Sequence, residues 1–118
     1  MGDSAMVTIW HKSMTPERWA GFSMDRQILM IGSEFSRAKN LIAAGLFAET
    51  HECYERAFEL LDLCCYDDKW RSRFRELLRF REALGELYLS PAPDAEQNKL
   101  FFRTLLYWHP ETAKVSIG

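Results

Sequence analysis

The sequence has no apolar run approaching the roughly 20 residues that span a bilayer. Its first 13 residues, MGDSAMVTIWHKS, lack the long apolar core of a secretory signal. Without either, no membrane association is expected and the cytoplasm is the expected location. A dominant charge is missing too. The net charge is −2 over 118 residues, so a nucleic-acid or acidic-membrane partner would have to read a local patch. Cysteines suited to pairing are also absent. There are three, Cys64 and Cys65 are adjacent, and Cys53 lies eleven positions before Cys64. That spacing is about 16 Å along a helix, too far for a disulfide. No C-x-x-C or His/Cys spacing suggests a metal. No Gly-rich phosphate loop and no nucleophile beside a base appear either. No cofactor and no metal are therefore expected, and the thiols read as reduced packing groups.

What is present is a well-populated core. Hydrophobic residues make up 47% of the chain and aromatics 14%, enough for one globular domain without staples. Residues 1–13 read as a disordered leader, 14–110 as a single helical domain and 111–118 as a short tail. Thr15-Pro16-Glu17 is a helix start, with Thr as cap and Pro in the first turn. From Ser23 to Gly45, Met24, Ile28, Ile31, Phe35, Ala38 and Ile42 recur at spacings of three and four, one buried helix face ended by a glycine. A second helix, from about Phe47 to Tyr66, presents Phe47, Tyr54, Ala57, Phe58, Leu61 and Cys65. The short connection makes it antiparallel to the first.

A third helix, capped at Asp67 or Asp68, runs to about Leu89 with Trp70, Phe74, Leu77, Leu84 and Tyr88 inward. SPAP breaks it. A fourth, with Asp94 and Gln97 as a capping box, extends from Ala95 to His109, where Pro110 stops it. No stretch shows a sustained period of two. The expected fold class is all-α, a compact four-helix bundle of antiparallel helical hairpins.

Residues 38–62, AKNLIAAGLFAETHECYERAFELLD, resemble a tetratricopeptide hairpin in Gly45, Tyr54, Ala57 and Leu61. A step of 34 residues places Arg79, Pro91 and Ala95 where Gly, Ala and Leu should recur, which excludes a solenoid. The same segment is similar to helix hairpins of the HEPN superfamily, small all-α proteins that include ribonucleases with an Arg-x(4–6)-His motif. RTLLYWH, Arg103 to His109, has that spacing, and Thr104 is allowed after the arginine without being typical. The resemblance implies RNA cleavage, or a place in a toxin-antitoxin pair, with His109 as general acid or base and Arg103 holding phosphate. On a straight helix the two residues point about 120° apart and stand about 9 Å apart along the axis. A shared site would need a bend at Pro110 or a twofold mate. Without one, His109 is a helix-end residue favoured by the dipole and Arg103 is solvent-facing.

Residues 69–82 carry six positive and two negative side chains, a net of +4, while residues 49–62 carry one positive and five negative, a net of −4. Neighbouring helices of opposite sign are expected to pair with each other, within the chain or across a dimer, before they bind nucleic acid. Arg81 falls within the apolar stripe of the third helix and is expected to pair with Glu34, or else to grip an anionic ligand between helices. Leu29, Met30, Leu60, Leu63, Phe102 and Leu106 flank or leave the buried stripes. They suggest a homodimer or an adaptor that buries them against another protein. Sequence alone thus favours a non-enzymatic bundle acting by protein association, with the ribonuclease reading as its alternative.

Overall fold

A computed structural model describes residues 10–117. The fold is an all-α, compact four-helix bundle preceded by one short helix. Helix α1 spans Pro16–Ala20, α2 Met24–Ala43, α3 Phe47–Cys65, α4 Phe74–Tyr88 and α5 Ala95–Leu106. Short 3-10 helices at Asp68–Arg73 and Thr112–Lys114 complete it.

Local chemistry sets the ends. Thr15 Oγ1 accepts the Arg18 N–H, and Pro16 occupies the first turn of α1. After α2, Gly45 takes φ 75°, the left-handed conformation that a Cβ disfavours. There the Gly45 and Leu46 N–H groups reach back to the Ile42 and Leu41 carbonyls, a Schellman closure that turns the chain directly into α3. Asp94 accepts the Gln97 N–H and starts α5.

Phe35 of α2 lies where the four long helices meet. Its ring is 5.9 Å from Tyr54 of α3, 6.0 Å from Phe80 of α4, and 6.3 and 6.4 Å from Phe101 and Phe102 of α5. Burying such a side chain is worth about 1.5–3 kcal/mol, with about 0.5–1.5 kcal/mol more for each well-placed aromatic pair. Two buried polar networks fix how the helices meet. The Tyr54 hydroxyl donates to Asn98 Oδ1, and Asn98 Nδ2 donates to the Phe35 carbonyl, which ties α3, α5 and α2 together. Gln27, fully buried, donates to the Trp19 carbonyl and to Asp67, and accepts from Trp70 Nε1 at 2.7 Å. Burial alone would raise the Asp67 carboxyl, but hydrogen bonds from Lys69 and Gln27 outweigh it and hold the group below the ordinary carboxylate range.

The structure corrects the sequence reading in several places. The third helix does not begin at Asp67. Asp68–Arg73 is 3-10, which turns about 120° per residue against 100° for an α-helix, so α4 is rotated against the expected phase. Its buried face is Leu77, Phe80, Leu84 and Leu87, and Phe74 is exposed. Arg81 is consequently half exposed at the edge of the stripe. Leu60, Leu63 and Leu106, expected as spare surface, are buried within the chain: α3 packs against α1, α2, α4 and the first 3-10 segment together, and α5 packs against α2, α4 and the second. Leu29 does remain exposed.

Helix α5 ends at Leu106, before His109, because Thr112 Oγ1 meets the Leu106 carbonyl at 2.6 Å and the chain turns there. Of the segment read as a leader, residues 1–9 lie outside the described residues, whereas Trp10 and His11 rest on α3. Their N–H groups donate to the Glu59 carboxylate at 2.9 and 3.0 Å.

Candidate functional site

The two helices of the second hairpin are each fastened to the first hairpin more closely than to each other. Helix α5 lies on α2, with Phe102 seated over Gly32, where an added Cβ would stand 2.8 Å from the ring. Helix α4 lies on α3 through Arg81–Asp62 and the Tyr88 hydroxyl bonded to Glu55. A cleft of about 390 Å³ opens between α4 and α5 as a result. Its floor is aromatic. Phe80 stands edge-to-face with Phe101 at 5.3 Å and with Trp108 at 5.0 Å. Ala83 and Leu100 form apolar walls, and Glu76, Arg79, Gln97 and Thr104 form a polar rim. Arg73 neutralises Glu76 at 3.0 Å, while Arg79 has no ion pair among the described residues.

An aromatic floor with a sparse polar rim accepts apolar side chains and orients them by their polar ends. It is lined by no cysteine, serine or histidine. Burial raises all three thiols above the ordinary range, most strongly Cys64. Among the described residues, no group of three or more His, Cys, Asp or Glu is placed to hold a metal ion.

The sequence-derived candidates lie elsewhere. Arg103 is exposed and borders a hollow against the C-terminal tail with Tyr107, Val115 and Ile117. His109 is half-buried past the end of α5, its Nδ1 accepting the Glu111 N–H at 3.0 Å. It lies on the side of Asp25, near the start of α2. No hydrogen bond or ion pair joins Arg103 to His109, and neither borders the α4/α5 cleft.

Arg81 is bound by both oxygens of Asp62, at 2.6 and 3.2 Å, and its guanidinium lies 5.2 Å from the centre of the Phe58 ring. The hydrogen bond to Asp62 raises its pKa. Its expected partner, Glu34, is held instead by Arg37 at 2.9 Å and Arg56 at 3.0 Å. Among the described residues, Arg81–Asp62 is the ion pair that joins the acidic α3 to the basic run, while Arg71 and Arg73 bind acids on their own turns.

Phe80, which like Trp108 belongs to both core and cleft, escapes the sequence reading because that reading phases the stripe on Trp70. The only signal for it was the aspartate pair before Trp70, which can start a 3-10 turn as well as an α-helix. Comparison of the chain with protein-family models, with curated proteins and with solved structures finds no match.

Proposed function

We propose that the protein acts through association with other proteins, receiving apolar side chains of a partner in the cleft between α4 and α5. The observation that carries this reading is the aromatic floor of Phe80, Phe101 and Trp108, left open between two helices that are each fastened to the first hairpin more closely than to each other. Its volume suits one or two large side chains, and the rim supplies the polar edge common to protein interfaces. The reading is of a non-enzymatic adaptor working in the cytoplasm, a compartment in which its three free thiols stay reduced.

Leu100, half exposed on the cleft wall, gives the test. Leu100→Asp is expected to leave the circular dichroism spectrum and melting temperature within error of wild type and to abolish co-purification of the cellular partners. Recovery of the same partners by both proteins would sink the proposal. The ribonuclease alternative predicts instead that purified protein cleaves RNA and that His109→Ala ends the cleavage.

A further inference from the structure

Helix α4 has a second face, turned away from both the cleft and the core. On a wheel of about 100° per residue, Phe74, Leu78, Gly85 and Leu89 fall within about 60° of one another. Phe74 and Leu78 are each 43% exposed and Leu89 is 80% exposed. A Cβ added at Gly85 would meet nothing within 4 Å. The four positions form a shallow apolar seam with a notch where another backbone can approach.

The charges beside this seam are ordered in an unusual way. Arg75, Arg79, Glu82 and Glu86 share one flank of it, all exposed, and none has an ion pair among the described residues. Like charges stand one turn apart, Arg75 above Arg79 and Glu82 above Glu86, an arrangement that weakens an isolated helix. The same arrangement is self-complementary. The midpoint of Arg75–Glu86 coincides with that of Arg79–Glu82, between residues 80 and 81. The midpoint of Phe74–Leu89 coincides with that of Leu78–Gly85, one residue further on. When two helices pack antiparallel about a twofold axis, each flank meets its own copy.

We infer that two copies of this chain pair through α4, antiparallel, with Leu78 of each seated at the Gly85 notch of the other. The Arg75/Arg79 half of each flank lies against the Glu86/Glu82 half of its mate. Arg81, close to the axis, brings no net charge to the centre because Asp62 already neutralises it. The inference shares with the adaptor reading only the idea of association. It uses a surface that shares only Arg79 with the rim of the cleft and leaves the aromatic floor of each copy open, so either can fail without the other.

Light scattering on the full chain tests it with two variants. Arg75→Glu with Arg79→Glu makes the flank wholly acidic, and Glu82→Arg with Glu86→Arg makes it wholly basic. Wild type is expected to be dimeric at micromolar concentration. Each variant alone should be weakened by about 100-fold or more, since four symmetry-related pairs turn from attractive to repulsive. An equimolar mixture of the two should recover a dimer, which misfolded variants would not do. A monomeric wild type, a dimer indifferent to charge reversal, or a mixture that stays monomeric would each overturn the inference. Leu100→Asp should leave the dimer intact.

Discussion

Helix α5 meets α2 on one side and α4 on the other, and the two contacts differ. Against α2 it is closed: a glycine admits the Phe102 ring, and Asn98 bonds to the Phe35 backbone while accepting from Tyr54. Against α4 it is open, with aromatic rings on the floor and no side-chain hydrogen bond across. An apolar face closes when a small residue lets the backbones approach and a buried polar group specifies the register. With large rings on both helices and neither device, the same apolar character leaves a cleft. The cleft and the tight interface thus arise from the same helix, and the difference between them lies in what each neighbour presents.

That contrast can be broken from its closed side. Gly32→Leu drives a side chain into the Phe102 ring, already within 2.8 Å of a bare Cβ. It should cost about 3 kcal/mol, visible as a lower denaturant midpoint; a neutral result would mean that close approach does not hold α5 in place.

Asp67 offers a smaller test, read through pH. Its pKa is lowered by folding, so its contribution is present above the unfolded carboxyl value of about 3.9 and is lost as the pH falls toward its lower folded value. Melting temperature should decline below about pH 4 in wild type. The decline should be shallower in Asp67→Asn, which keeps a side-chain oxygen but does not titrate. Equal slopes would remove Asp67 from the acid transition.

The smallest effect is expected on the α4 side. Arg81→Met removes an ion pair whose arginine side chain is 41% exposed and therefore screened, so the change should stay within about 1 kcal/mol. A loss of several kcal/mol would show that α4 depends on this pair as the closed interface depends on Asn98.

Much of the closed region was legible in the sequence. Ile28, Ile31, Phe35 and Ala38 follow strict helical spacing and are all fully buried. Thr15, Gly45 and Asp94 act as the caps their residue types suggest. The open region was not legible. The phase of α4 depends on the 3-10 turn before it, and that turn is held by the Asp67 cap and by Trp70 donating to Gln27, 43 residues earlier in the chain. Arg81 meets Asp62 and not Glu34 for the same reason, since a rotated α4 turns it toward Asp62. For Arg103 and His109, spacing on a helix carried no information once the helix stopped at Leu106.

The sequence by itself determined the class of fold, the starts of every helix but α4, the turn at Gly45 and the opposed charges of the second and third long helices. These follow from local rules: period, capping geometry and backbone sterics act within a few residues. Only the tertiary structure decided which face of α4 points inward, which acid Arg81 meets, and that Phe80, Phe101 and Trp108 floor a cleft instead of closing a core. Those outcomes depend on how far one helix can approach another, which is set by side chains that meet only after the chain has folded.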